Sequence, residues 1–263
     1  MPDALALLAE HAGAARVLAG GQSLMPLMAM RLARPEHLVD INRIGELKGI
    51  ALSDDAVTIG ALTRYSEILN SPAIRDGLPL LAEAVRHVAH HAIRNRGTIG
   101  GSLALADPSA ETPAACLALK ASVVARSAAG EREIPIDNFF QGLMATALAE
   151  DEILVAVRVP RRPATARHAF LEFARRRGDF AQAGLILAPA HAGVPEDRAV
   201  VFGVGPAAWR SAALEVALAS ERREDPGAAL AREVTAAVED ESAAYKTRIL
   251  TTLAVRSITR LAA

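Results

Sequence analysis

One cysteine in 263 residues, Cys116, excludes an intrachain disulfide and excludes a four-cysteine iron–sulfur cluster held by this chain alone. Cys116 lies in an Ala/Leu-rich run, the setting of a buried inert thiol rather than a nucleophile. Aromatic residues make up only 3% of the chain, so a core must come from its aliphatic residues, with Ala dominant. An excess of charge of either sign is missing too: the formal net charge of −1 gives no electrostatic reason to expect nucleic acid or an anionic membrane as partner. No apolar run is long enough to span a bilayer. The opening Met1-Pro2-Asp3 lacks the basic region of a signal peptide, which makes the cytoplasm the expected compartment.

What the chain does have is a turn-rich passage from Asn95 to Glu111, with a glycine pair at Gly100 and Gly101. Glycine lets backbone approach a ligand closely, and the N–H groups freed in this way can cradle a phosphate. Thr98 and Ser102 add neutral donors, while Asp107 and Glu111 can accept hydrogen bonds from hydroxyls such as those of a ribose or ribityl chain. Phosphate at one end and polyol at the other suggests a nucleotide cofactor. A second such stretch lies near the start, where the expected strand Arg16 to Ala19 runs through Gly20-Gly21-Gln22-Ser23-Leu24 into an apolar helix with Met25, Met28 and Met30. Strand, glycine turn and helix start is the context in which amides and helix dipole together favour a phosphate.

Along the rest of the chain, the pattern predicts a helix from Leu5 to Ala12, a strand Leu38–Ile41, and a hairpin joining 50–52 to 57–60 through Asp54-Asp55. Thr63 is expected to cap a helix running to Leu69, with Glu67 too far along to complete a capping box. Prolines at 72 and 79 mark a loop, followed by a helix from Leu80 to His91. His87 and His91 then have the spacing of a two-histidine metal site, but no Glu follows His87 and no third ligand is evident, so no metal is expected. Strands are expected over 122–126, 133–136 and 153–159, and a linker over 160–166. Next come a segment 169–174, the basic run Arg175-Arg176-Arg177, a strand near 199–202, and helices 211–220, 227–240 and 242–262. Gly203-Val204-Gly205-Pro206-Ala207-Ala208 mimics a dinucleotide fingerprint. It is discounted because Pro206 removes a donor and no acid closes a second strand about 20 residues on.

These motifs carry a resemblance. Ala19 to Leu24 followed by Met30-Arg31-Leu32, then Arg94 to Glu111, then Arg177-Gly178-Asp179-Phe180-Ala181, resemble the FAD-binding medium subunit of molybdenum hydroxylases. That family includes the carbon monoxide, nicotine and caffeine dehydrogenases and is similar to the flavin domain of xanthine dehydrogenase. The resemblance runs nearly the whole chain in the right order. It implies an α+β chain: a two-subdomain FAD-binding region of PCMH type over 1–160, and a C-terminal sheet-plus-helices domain of the CO dehydrogenase flavoprotein type over 167–263.

By position, the backbone of Ala19, Gly20, Gly21, Gln22 and Ser23, leading to Leu24, and of Thr98, Ile99, Gly100, Gly101 and Ser102 would hold the FAD pyrophosphate. Glu111 would bind the polyol, with Asp107 nearby, and Leu154 would lie near the adenine or flavin ring. Phe180, beside Asp179, stands where some relatives have a Tyr near the isoalloxazine. Gln22 stands where carbon monoxide dehydrogenases often have His, which argues against that substrate. No residue of this chain is assigned a catalytic role. The resemblance further implies a large molybdopterin subunit and a small subunit with two [2Fe–2S] clusters, in a dimer of heterotrimers, with FAD passing electrons to an external acceptor. A stand-alone FAD oxidase of the same binding fold remains an alternative, needing a base beside the ring that only the histidine cluster could supply. So does a non-catalytic scaffold whose glycine turns bind nothing.

Overall fold

In the strand Ala56–Gly60, Val57 and Ile59 are fully buried while their neighbours are partly exposed, the two-residue alternation of a sheet with one face on the core. The computed structural model describes residues 1–163, 165–191, 193–219, 227–238 and 241–262. It pairs this strand with Ile50–Leu52 on one side and with Ile153–Pro160 on the other. Ser122–Ser127 and Gly130–Pro135 complete a five-stranded sheet with Ile153–Pro160 at its centre. In that central strand Ile153, Leu154, Val155, Val157 and Val159 are buried, consistent with its run of Ile, Leu and Val.

On the back of this sheet sits a small N-terminal unit. The helix Pro2–Glu10 covers a parallel pair of strands, Ala15–Leu18 and His37–Asp40, joined through the first glycine loop and the short helix Leu24–Ala29. Leu5, Leu8, Val39 and Ile41 pack there against Val124, Ile153 and Val155 of the sheet.

The helix Glu111–Ala118 is buried at every position, which an all-round apolar sequence such as Thr-Pro-Ala-Ala-Cys-Leu-Ala allows. It packs against the helix Pro79–His87 and against the strand Arg198–Phe202 of a second, four-stranded sheet. In that sheet Ala169–Phe173, Ala183–Ala188, Arg198–Phe202 and Trp209–Arg210 follow one another antiparallel. Its other face carries the long helix Ala243–Ala262. One hydrophobic core joins both sheets, from Val57 and Leu103 through Cys116 to Phe170 and Phe202. Fully buried Arg198 reinforces the join through its ion pair with Asp137, which lies on the first-sheet side.

The structure departs from the sequence reading in several places. The expected helix 80–91 stops at His87, because Ala89 adopts a left-handed backbone (φ 40°) and Arg94 Nη1 bonds the carbonyls of Val88 and Ala89 at 2.7 and 2.9 Å. A separate turn of helix, His91–Arg94, follows, so His87 and His91 do not share a helix. Pro72 opens a helix, Pro72–Gly77, rather than a loop, and Ser71 caps it by accepting from Ile74 N. The cap of the next-earlier helix is Arg64, not Thr63, which puts Glu67 within reach: its carboxylate accepts from Arg64 N at 2.6 Å. After Gly203 the chain enters the strand Trp209–Arg210 and no helix, so the fingerprint-like stretch lacks the turn geometry of a dinucleotide site. Positions 220, 239 and 240, the expected ends of two helices, lie outside the described residues.

Candidate functional site

The first glycine loop leaves the strand Ala15–Leu18 and swings into the helix Leu24–Ala29. Among the described residues, the amides of Gly20, Gly21, Gln22, Ser23 and Leu24 donate to no protein group. Consecutive unengaged N–H groups at a turn form a nest for an anion. The loop is held from behind: Asn42 Nδ2 donates to Ala19 O at 2.7 Å, Arg64 Nη2 donates to Asn42 Oδ1 at 2.6 Å, and Arg64 Nη1 bonds Arg96 O. Gly20 is required by this close approach, since a Cβ there would drive into the carbonyl of Arg96.

The second stretch is built differently. Its amides are already engaged: Ile99 N with Thr63 O (3.2 Å), Gly100 N with Ala61 O (2.9 Å), Gly101 N with Thr98 Oγ1 (3.1 Å) and Ser102 N with Thr98 O (3.1 Å). Thr98 is thus the N-cap of the helix Ile99–Leu105, and Gly100 lets that helix lie on Ala61, whose Cβ would be 2.6 Å from an added one. The pair of stretches therefore divides its work. The first presents free amides, and the second presents the edges of Thr98, Gly101 and Ser102 to the same space.

That space is a cavity of about 740 Å³ between the two stretches. Ala19 to Leu24, Thr98, Gly100 to Ser102, Asp107, Glu111, Leu154, Asp179 and Phe180 all line it. Ile99 does not: its side chain points into the core and is fully buried. Leu154 comes from the central strand, where the register shifts opposite Val124 and Ala125. Asp179 and Phe180 come from the turn joining Ala169–Phe173 to Ala183–Ala188, so the second sheet supplies one lip of a cavity floored by the first. Phe180 is 64% exposed at that lip.

Glu111 is 4% exposed, and burial pushes its pKa up to about 7, reinforced by the charges of Glu172 and Asp107 and opposed by its own amide and by His87. Asp107 accepts from Ser109 N at 2.8 Å, holding the turn that aims both acids. Pro108 O in that turn accepts from Gly203 N at 2.7 Å, so the otherwise discounted glycine stretch fastens the turn to the second sheet.

Sequence reasoning missed part of the wall. Tyr65 lines the cavity with its hydroxyl accepting from Thr112 Oγ1 at 3.2 Å, and burial pushes its pKa up to about 12. Met144, Ala145 and Thr146 belong to a short hairpin, Phe140–Gly142 with Ala145–Thr146, that the pattern did not reveal. Asn42 and Arg64 carried no signal, because their roles depend on contacts more than twenty residues away in sequence. Cys116, by contrast, is fully buried with its thiol pushed up to about 12, as its surroundings suggested.

A nest of free amides, flanked by apolar wall and by acids able to accept from hydroxyls, suits an elongated ligand with an anionic middle and a polyol arm. Comparison with known proteins is consistent with that chemistry. Residues 1–162 match the family described as the FAD binding domain in molybdopterin dehydrogenase. The 6-hydroxypseudooxynicotine dehydrogenase complex subunit alpha of Paenarthrobacter nicotinovorans is 48% identical over 181 residues, covering 69% of this chain and 61% of that protein's own length. The carbon monoxide dehydrogenase medium chain of Hydrogenophaga pseudoflava is 41% identical over 79% of this chain and 73% of its own. A solved structure of carbon monoxide dehydrogenase from that organism, lacking the Mo-pyranopterin moiety of the molybdenum cofactor, superposes with a TM-score of 0.91 at 38% identity. That superposition covers 98% of this chain and 93% of the matched one.

Proposed function

The chain belongs to the family of FAD-binding domains of molybdopterin dehydrogenases, and from that premise we propose that it is the FAD-carrying electron-transfer subunit of a molybdopterin/[2Fe–2S]/FAD hydroxylase. The observation that carries the reading is the run of free amides from Gly20 to Leu24 facing a cavity that also presents Glu111. FAD fits these residues: the nest receives the pyrophosphate, and Glu111 with Asp107 accepts from the polyol hydroxyls. Thr98, Gly101 and Ser102 close the opposite edge, and Leu154 and Phe180 offer apolar surface to the rings. When bound, the flavin supplies the redox chemistry, taking electrons from iron–sulfur clusters and handing them to an external acceptor.

The chain's own part is to bind, orient and screen. The Asn42 and Arg64 ties fix the spacing of the two stretches, and the Asp179–Phe180 turn covers the mouth. In this reading residues 1–160 form the FAD-binding domain and 167–263 the domain supplying that cover. The organic substrate and molybdenum chemistry belong to a large partner subunit and the clusters to a small one, in a dimer of heterotrimers. The presence of just one cysteine supports that division, since clusters need cysteines from elsewhere.

Purification of the native complex, with subunit mass spectrometry and an absorbance spectrum, tests the proposal. Two co-purifying chains, one large and one small, with flavin and iron–sulfur absorption are expected. A lone yellow chain reduced directly by a small molecule would replace this reading with a stand-alone oxidase, and a lone colourless chain that takes up no FAD would replace it with a scaffold.

A further inference from the structure

The basic run Arg175-Arg176-Arg177 lines no part of the cavity, yet the structure puts it at the cavity's edge. It lies in the turn between the strands Ala169–Phe173 and Ala183–Ala188, directly before the lining residues Gly178, Asp179 and Phe180. Gln182 N closes the turn on Phe173 O at 2.8 Å, and Asp179 N bonds Arg176 O at 3.1 Å. From the long helix Ala243–Ala262, Tyr245 Oη donates to Gln182 Oε1 at 3.2 Å. Gly178 has a left-handed backbone (φ 86°), and a Cβ there would stand 2.8 Å from Ala89 O. The turn therefore rests on the break after the helix Pro79–His87, and Val88, Ala89, Gly178 and Phe180 line the cavity together.

Two features mark the outer face of this turn. All three arginines are exposed, as is Arg86 in the last turn of the adjoining helix, and among the described residues none of the four has an acidic partner. Elsewhere the chain pairs such groups, as Arg126, Arg132 and Arg158 pair with Glu131, Glu152 and Glu133. The acids of the same elements are turned to other uses: Asp179 lines the cavity, Glu172 bonds His87 at 2.8 Å, and Glu83 bonds His168 and Arg260 at 3.0 Å each. The second feature is aromatic. The exposed rings among the described residues, Phe173, Phe180 and Tyr245, all belong to this turn or to its hydrogen-bonded support, in a chain only 3% aromatic.

Arginine and aromatic rings are the residues enriched where proteins meet. A projecting turn offers no hollow for a small ligand, and so suits a macromolecular surface. A permanent interface is depleted of charge at its core, whereas unpaired cations on a small face suit a transient encounter steered by opposite charge. We propose that the 174–182 turn and the adjoining helix end are the docking face for an acidic redox protein, the one-electron acceptor of electrons from the flavin in the adjoining cavity. The inference rests on the FAD reading for the source of the electrons and on this chain's own surface for the partner. Reoxidation of one reduced flavin reduces two one-electron centres of the acceptor, and the protons held by the reduced flavin pass to water. The four arginines are positioning residues: they orient the acceptor and touch no reacting atom.

The test uses cytochrome c in two forms, native (basic) and succinylated (acidic), which share a haem and differ in charge. In the binding arm, the flavin-free full chain is passed over each immobilised form. Succinylated cytochrome c is expected to bind about tenfold more tightly than native at low salt, with the preference lost by about 0.5 M salt. Each of Arg175→Glu, Arg176→Glu and Arg177→Glu should weaken that binding about threefold or more, while Arg158→Glu, an equal charge change four residues along the strand from Leu154, should not. In the kinetic arm, the native complex is reduced with dithionite and its flavin reoxidation followed by stopped flow. The same three variants should slow reoxidation by succinylated cytochrome c and leave reoxidation by neutral benzoquinone unchanged. Equal binding of the two cytochromes, or equal weakening by Arg158→Glu, would overturn the proposal. So would loss of a co-purifying subunit from the three variants, which would make the face a subunit interface. Reoxidation by NAD that is fast in wild type and lost in the variants would assign the arginines to a dinucleotide and also overturn it. A complex without flavin would count against the cofactor reading, and the binding arm would still decide this one.

Discussion

Replacing Glu111 with Gln exposes the cost of the site most clearly. Burial raises the Glu111 carboxyl from 4.5 to about 7. A carboxyl with a raised folded pKa weakens the fold as pH rises. Below about pH 4.5 it is protonated in folded and unfolded chains alike and costs nothing. Above about pH 7 it is ionised in both, and the folded chain carries the full penalty of roughly 3 kcal/mol. Glu111→Gln removes that penalty while keeping the side chain's shape. Without flavin, the variant should therefore match wild type at about pH 4.5 and exceed it by roughly 3 kcal/mol at about pH 8, a melting-temperature gain of roughly 6–12 °C for a chain of this size. With saturating FAD the order should reverse, because the ionised carboxylate then has hydroxyl donors and the amide does not offer the same charge. Thermal unfolding across that pH range, with and without FAD, measures both. Parallel pH profiles for the two proteins would refute the reasoning. His87 adds a pH dependence of the same sign to both proteins, since its pKa is raised by the Glu172 hydrogen bond and the stability it lends is lost as pH rises through its folded value.

Three other outcomes are expected. Gly20→Ala should force the two glycine stretches apart against the carbonyl of Arg96, destabilising the chain by about 2 kcal/mol and abolishing FAD retention, read by denaturant unfolding and by the flavin content of the purified protein. Arg198→Ala should cost roughly 2–3 kcal/mol by removing the fully buried guanidinium that bonds Asp137 and Glu196, although Arg210 stays beside both acids and Lys120 beside Glu196, measurable by urea unfolding with little change in the FAD spectrum. Phe180→Ala should leave the melting temperature nearly unchanged, within about 0.5 kcal/mol, because the ring is largely exposed, yet should shift the absorption and fluorescence of bound flavin.

Much of this site was legible because its logic is local. A strand ending in Gly20-Gly21 and the glycine pair at Gly100-Gly101 are signals carried by adjacent residues, and the run of branched apolar residues placed Leu154 in a strand, whereas the cap by Thr98 and the central position of that strand were visible only in the structure. The break after His87 was not legible: it depends on Arg94 reaching back to Val88 and Ala89, which helix periodicity does not register. Ser71-Pro72 did carry a helix-start signal, a capping Ser before a Pro at the first helical position, but the proline was read as punctuation. The distinction between free and engaged amides in the two stretches was also beyond the sequence, because it follows from where Ala61 and Thr63 lie in space. Phe180 and Glu111 looked like members of separate segments; only the packing of the helix Glu111–Ala118 against the second sheet brings both to one cavity.

The most direct measurement titrates the flavin-free chain with FAD and with riboflavin, following flavin fluorescence to a stoichiometry and an affinity. The account predicts saturable binding of one FAD per chain and much weaker binding of riboflavin, which has no pyrophosphate for the Gly20–Leu24 amides. FAD remaining free in solution, or riboflavin binding as tightly as FAD, would contradict it.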